Sequence, residues 1–192
     1  MIKSFSNTYK LNYIITRSCN NFGPKQNVEK FIPKLINNSL LAKKIPIYGN
    51  GQNKRQWIHV RDNCNAIFKI LEGNIINSEF NISSNTEYKN IDLANIICER
   101  IDNILINRSN LKLIYPKALI YNKKKSKELI DFVDDRKGHD FRYSINSKKL
   151  FRETGFKPKI KFLVGLEATI KWYIENNNLW YKKNKWKPKE KE

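Results

Sequence analysis

The stretch that most constrains this chain runs from Asn12 to Pro33. In it Tyr13, Ile14 and Ile15 form a short apolar run, closed by Asn20, Asn21, Gly23 and Pro24. A run of β-formers ended by Asn, Gly and Pro reads as a buried strand, Tyr13 to Arg17, that stops in a turn. Such a strand cannot leave its backbone groups unpaired, so it requires a sheet beside it. In open α/β sheets ligands bind at the carboxyl ends of the strands, and an Asn amide offers both a donor and an acceptor to a sugar or a carboxamide. Asn20 and Asn21 are therefore the first candidate site residues. The alternative is that they only make the turn, as Asn often does.

On either side of that stretch, short strands alternate with helices, which gives an α/β class. Met1 to Tyr9 carries Phe5 and Tyr9 at helical spacing and reads as the last turns of a helix begun further upstream. Lys30 to Lys43, with Phe31, Leu35, Leu40 and Leu41 on one face, is predicted to be a helix with Pro33 in its first turn. Ile45 to Val60 reads as a hairpin around Gly49-Asn50-Gly51, in which Arg55 alternates with Trp57; an Arg fork beside an aromatic suits a diphosphate, although such an Arg can also be a solvated face residue. Asp62 is predicted to cap a helix through Ala66, Ile67, Ile70 and Leu71 that stops at Gly73. A strand at Glu79 to Ser83 and a polar turn lead to a helix begun by Asp92. Leu111 to Tyr115 is strand-like, and Lys123 to Lys125 is a solvated charge run. The strand Leu129 to Val133 feeds the loop Asp134 to Tyr143, where Arg136 can grip phosphate and Gly138 permits close backbone approach; a charged turn is the alternative. A helix capped by Ser147 and ended by Gly155 precedes a last helix at about Phe162 to Asn177. Residues 178–192 form a basic tail. The Tyr-x-x-x-Lys spacings at Tyr121 and Lys125, and again at Tyr181 and Lys185, are attributed to lysine abundance, because they lie in polar, unpatterned stretches.

The net charge of +19 is the one compositional anomaly. It would ordinarily raise nucleic acid as a partner. Of the 37 basic residues, however, 29 are Lys and 8 are Arg, whereas Arg is the residue favoured for bidentate contacts to phosphate and bases. No helix-turn-helix, zinc-finger or aromatic-basic RNA signature accompanies the charge, so nucleic acid is not the expected partner. No apolar run approaches the ~18 residues of a membrane span and no leader opens the chain, which points to a cytoplasmic protein without membrane contact. Cys19, Cys64 and Cys98 are far apart and accompanied by two His, so neither a disulfide framework nor a metal site is expected.

Arg17-Ser18-Cys19-Asn20-Asn21-Phe22-Gly23-Pro24 resembles the Arg-Cys-Ser-Asn-Asn-Tyr-Gly-Pro strand-loop of dTDP-glucose 4,6-dehydratases, with the Cys-Ser pair inverted and Phe22 for Tyr. Val28-Glu29-Lys30-Phe31-Ile32-Pro33 is similar to the following Pro-Glu-Lys-Leu-Ile-Pro. Arg55-Gln56-Trp57 is similar to Arg-Asp-Trp, Lys89-Asn90-Ile91-Asp92 to Lys-Asn-Ile-Asp, and Asp135-Arg136-Lys137-Gly138-His139-Asp140 to Asp-Arg-Pro-Gly-His-Asp. The resemblance covers nearly the whole chain but only the carboxyl-terminal half of the family's length. It implies the last elements of a Rossmann sheet plus the smaller α/β nucleotide-sugar-binding domain of an extended short-chain dehydrogenase/reductase, occupying residues 1–177.

By motif, the resemblance implies that Asn20, Lys30, Phe31, Pro46, Tyr48, Arg55, Asn90, Asp135, Arg136 and His139 line a dTDP-sugar site and that Asn21 touches NAD. In the family, NAD takes a hydride from the sugar's C4, a carboxyl pair eliminates water across C5 and C6, and the hydride returns to C6. Neither the glycine fingerprint, nor the catalytic Tyr and Lys, nor the Asp-Glu pair has a counterpart in this sequence, so no catalytic residue is expected here. The implied partners are a dTDP-sugar, a separate amino-terminal Rossmann half, and a second copy, since the intact family is homodimeric. A sister nucleotide-sugar epimerase or decarboxylase, or a binding module without turnover, are the alternatives.

Overall fold

A computed structural model describes residues 1–176. The chain divides into two compact units that interleave in sequence: Met1–Gly23, Ile47–Leu93 and Phe132–Gly165 form the first, while Pro24–Pro46, Ala94–Asp131 and the described residues from Leu166 onward form the second.

In the first unit the amino-terminal helix α1 (Ile2–Tyr9) leads into β1 (Ile14–Ser18), which pairs in parallel with β5 (Ser78–Ile82). The expected strand is present, but it is half-exposed rather than buried. Glu79 on β5 accepts from Arg17 on β1 at 2.7 Å and pairs with Lys3 on α1. These two cations hold the Glu79 carboxyl down at about 2. On one side of the strand pair lies a core of Cys19, Ile58, Ala66, Ile70, Phe80, Ile82, Leu150 and Phe156. Each fully buried Ile, Leu or Phe among these contributes roughly 1.5–3 kcal/mol. Two helices supply part of it, α3 (Val60–Glu72) through Ala66 and Ile70 and α6 (Lys148–Thr154) through Leu150.

The central strand of the first unit is β4 (Lys54–His59). At Trp57 it pairs with Asn20 of the parallel β2 (Asn20–Phe22) and with Thr86 of the antiparallel β6 (Thr86–Lys89). At Arg55 it pairs with Tyr88 of β6 and with Tyr143 of the parallel β8 (Arg142–Tyr143). β2 and β8 therefore follow one another along one edge of β4, and β6 occupies the other. Flanked on both edges, Arg55, Gln56, Trp57 and Ile58 are all buried.

This arrangement corrects the predicted hairpin. β3 (Ile45–Tyr48) pairs with β7 (Ile130–Val133), not with β4, and the Gly49 N–H donates to the Val133 carbonyl at 2.8 Å. Gly49-Asn50-Gly51 turns the chain between two different sheets. Gly51 has φ +72°, and a Cβ there would lie 2.8 Å from Ile91 Cβ and 2.9 Å from Ile47 Cγ2, so only glycine fits. β6 lies where the sequence predicts a polar turn; its Thr-Glu-Tyr-Lys residues carry no apolar alternation and are all only half-buried.

Three further expectations change. His59, not Asp62, caps α3, its ring nitrogen accepting the Arg61 N–H at 3.2 Å. Asp62 lies in the first turn, 1% exposed, with its carboxylate accepting the N–H groups of Lys159 and Ile160 at 3.1 and 2.9 Å. Ser147 holds the cap position of α6, but its hydroxyl donates to Ser83 O, and it is Asn146 that accepts the Lys148 N–H. Gly155 ends that helix with φ +67°, as expected.

In the second unit α2 (Phe31–Leu40) is shorter than predicted and buries Ile32, Pro33, Leu35, Ile36, Ser39 and Leu40. α4 (Asn90–Asn107) and α7 (Phe162–Glu175) each begin in the first unit and continue in the second. Within the second unit Arg100 on α4 pairs with Glu167 on α7, and Arg108 with Glu175, both at 2.9 Å. The equal spacing of eight residues on both segments, with Arg108 one residue past the end of α4, makes this a parallel ladder. Leu111 to Tyr115 is helical, α5 (Leu111–Ile114), rather than a strand. Leu113 is exposed there while Leu111 and Tyr115 are buried, and the Tyr115 hydroxyl donates to Ile174 O at 2.7 Å. Asp102 accepts from Ser126 N and Oγ. Lys123 to Lys125 is exposed, as predicted. The Tyr121 hydroxyl is directed to Leu105 O at 3.3 Å, and Lys125 is not on a helix with it. Tyr181, Lys185 and the basic tail lie outside the described residues. All three cysteines are free, and burial raises the thiols of Cys19 and Cys98, the latter to about 11. Among the described residues no helix is long and apolar enough to cross a membrane.

Candidate functional site

The first unit collects most of the predicted site residues around β4. Arg55 lies opposite Tyr143 of β8, into which the arm Asp134 to Phe141 runs, and two residues further on Trp57 lies opposite Asn20 of β2. The Arg55 guanidinium donates to Lys54 O and, across the edge, to Asp140 O, both at 2.7 Å. The same Asp140 carbonyl accepts from the buried Asn53 amide at 3.3 Å, and Phe141 O accepts the Lys54 N–H at 2.8 Å. The arm is thus fastened at its root by main-chain and side-chain bonds from β4 and the turn before it.

Towards its tip the arm carries Asp135, Arg136 and His139. Asp135 Oδ1 lies 2.6 Å from His139 Nδ1 and also accepts the Arg136 N–H at 2.9 Å. The His139 ring stands edge-on to Tyr48 at 6.0 Å between centroids. The His139 side chain is 6% exposed, with Nδ1 engaged by Asp135. Gly138 has φ +70° and no atom within 4 Å of where a Cβ would sit, so it serves the turn rather than a close approach. The Arg136 guanidinium is exposed and forms no ion pair among the described residues. Burial lowers the pKa of Arg55, and the positive charge of Arg136 acts in the same direction against the pull of Asp140 and Asp135. Arg55 on a strand and Arg136 on the arm bonded to it are two guanidiniums of the kind that grip phosphate.

Asn90 begins α4, and its N–H donates to Asn53 O at 3.0 Å, which joins it to the root of the arm. Asn21 on β2 donates to Ser18 Oγ and Cys19 O at 3.1 and 3.2 Å, so its amide nitrogen is directed back into its own turn. Lys30, Phe31 and Pro46 belong to the second unit. There Lys30 is exposed at the amino end of α2 and pairs with Glu29 at 3.4 Å, while Phe31 and Pro46 are half-buried.

Sequence reasoning missed Asn53, which looks like a turn residue, and His59, which no motif marked. His59 packs edge-on against Phe22 at 5.3 Å, and Phe162 stacks between Phe22 and Tyr88 at 4.9 and 4.6 Å. Burial lowers the His59 pKa.

The chain belongs to the family described as GDP-mannose 4,6 dehydratase, whose profile matches residues 1–169. Within it, the sequence is 35% identical over 178 residues to a dTDP-glucose 4,6-dehydratase of Haemophilus influenzae, a match that covers 93% of this chain and 49% of that protein. The fold is similar to that of the dTDP-glucose 4,6-dehydratase of Streptomyces venezuelae, crystallised with NAD bound, at a TM-score of 0.77 and 34% identity over 93% of this chain and 48% of that one. It is similar also to the Bacillus anthracis enzyme in complex with NAD, at 0.76 and 35%, over 93% and 50%. The chain spans about half the length of the relatives it matches. The extended short-chain dehydrogenase/reductase fold expected from the sequence is the fold observed.

Proposed function

We propose that this chain is the nucleotide-sugar-holding part of a dTDP-glucose 4,6-dehydratase. The observation that carries the reading is that Arg55 on β4 fastens, through Asp140 O, the arm that carries Arg136. In this reading the two guanidiniums neutralise the diphosphate, and Asp135 fixes the His139 ring. Asn20 and Asn90 supply amide donors and acceptors and Tyr48 packs beside His139; the expected ligand contacts Lys30, Phe31 and Pro46 belong to the second unit. NAD, when bound, accepts and returns a hydride; Asn21 is this chain's contribution to it. The 192 residues contain no glycine-rich strand-turn-helix to cradle a dinucleotide, so the residues here do not make an NAD site by themselves and the catalytic step needs a Rossmann half.

The test is a titration of the purified chain with dTDP and, separately, with a random single-stranded oligonucleotide at two salt concentrations, with Arg136→Ala alongside. Specific binding predicts that Arg136→Ala loses about 1.5–3 kcal/mol of dTDP affinity, the range for charge-assisted bonds. Binding through a diffuse lysine surface would instead favour the oligonucleotide, fall steeply with salt and ignore the single Arg. Incubated with dTDP-glucose and NAD, the chain alone is expected to form no 4-keto-6-deoxy sugar, and any product refutes that part of the reading.

A further inference from the structure

Resting on the diphosphate reading of Arg55 and Arg136, we propose that Gln56 is a positioning residue that sets where the Arg136-His139 arm sits. The arm enters the sheet through β8, a ladder of only two residues, both exposed. So short a ladder does not hold its own register against a slip along the edge of β4. The register must be pinned by side chains. Asn53 and Arg55 pin the root at Asp140 O. Beyond β8 the chain is caught a second time: Gln56 Oε1 accepts the Ile145 N–H at 2.8 Å and the Ser83 hydroxyl at 3.0 Å.

Gln56 and Ser83 are 6% and 1% exposed, and both lone pairs of the Gln56 amide oxygen are used. Ser83 is itself anchored, its Oγ accepting the Asn85 N–H and its carbonyl accepting Ser147 Oγ. Adjacent residues on a strand face opposite ways, so Arg55 and Gln56 grip the incoming segment from the two faces of β4. With both grips in place, residues 140–145 are fixed and only the tip that carries Arg136 and His139 can adjust. Without the Gln56 acceptor the far end is released, and a displacement of about 1 Å at Arg136 is enough to spoil a two-pronged contact with phosphate.

The experiment compares dTDP with thymidine, which lacks the diphosphate, by calorimetric titration of the full chain. Gln56→Met keeps the side-chain volume and removes the acceptor. It is expected to weaken dTDP roughly five- to tenfold, the worth of a charged bond made imperfect rather than lost, and to leave thymidine unchanged. Gln56→Glu, which keeps an acceptor at that place, restores most of the dTDP affinity. Ile145→Pro deletes the donated N–H without touching Gln56 and shows the same selective loss; it carries the test if Gln56→Met does not fold. Parent-like dTDP binding by Gln56→Met and Ile145→Pro, with Arg136→Ala impaired, overturns the role of Gln56 alone. Equal losses for dTDP and thymidine overturn it too, since that pattern is general destabilisation. If Arg136→Ala is also parent-like, the diphosphate reading fails and this inference falls with it.

Discussion

Replacing Arg55 separates a fold-holding role from a ligand-holding one, because the structure gives this side chain both. Its guanidinium makes two bonds of 2.7 Å, one to the neighbouring Lys54 carbonyl and one to the Asp140 carbonyl 85 residues away. Only the second holds tertiary structure. A bond from a charged group is worth roughly 1.5–3 kcal/mol. After Arg55→Ala the Asn53 amide remains on Asp140 O, so a net destabilisation of about 1–2 kcal/mol is expected. For a domain of this size that lowers the melting midpoint by roughly 2–8 °C. On dTDP the same change should cost about 1.5–3 kcal/mol, or roughly ten- to 150-fold in affinity. Arg55→Lys keeps the charge without the planar fork, and falls between parent and Arg55→Ala in both measurements. Differential scanning calorimetry and dTDP titration, with affinity referred to the folded fraction, give the two numbers independently. A lowered midpoint with unchanged affinity would make Arg55 a fastening for the arm and nothing more, and would refute the diphosphate assignment.

Asp62→Ala leaves the N–H groups of Lys159 and Ile160 without their buried acceptor and should cost about 2–4 kcal/mol in urea unfolding, with Asp62→Asn, which retains one acceptor oxygen, costing less. A loss below ~1 kcal/mol for Asp62→Ala would show that water replaces the carboxylate. Burial depresses the His59 pKa, so the native chain binds fewer protons than the unfolded one just below pH ~6.5. That contribution to stability is present above the unfolded value and is lost as pH falls through the folded one. His59→Asn, which can still accept the Arg61 N–H, should flatten the pH dependence of unfolding in that window; an unchanged slope would exclude His59 as its source.

Much of the fold was legible because it is local. The apolar run at Ile14, the stop at Gly155 and the helical periodicity of Leu93, Ile97, Ile101 and Leu105 each declare themselves within a few residues. Misreadings occurred where a partner far along the chain decided the outcome. Ile45 to Val60 has the strand-turn-strand pattern of a hairpin, but β7 claims β3, while β2, β6 and β8 take both edges of β4. Asp62 has the composition of a cap and is called away by two amides 97 and 98 residues distant. Leu111 to Tyr115 is too short for its period to be read, and a single turn of helix suffices to bury Leu111 and Tyr115 while leaving Leu113 in solvent.

The candidate site follows the same division. Arg55, Arg136 and His139 could be nominated from the sequence because their motifs are contiguous, and chemistry that needs a cation or an imidazole names its own residue types. The residues that place them could not. Asn53 reads as part of a turn, and Gln56 stands beside Arg55 as the one departure from the Arg-Asp-Trp motif, so neither residue type announces a task. Their partners, Asp140 O and Ile145 N, are backbone atoms 87 and 89 residues on, and a backbone atom has no identity that a sequence pattern can carry. Supporting groups that bind main chain are therefore the part of a site least visible before the fold is known. Here they matter more because the arm's own ladder is two residues long, so that the geometry of Arg136 is set by side chains on a strand it touches only through hydrogen bonds.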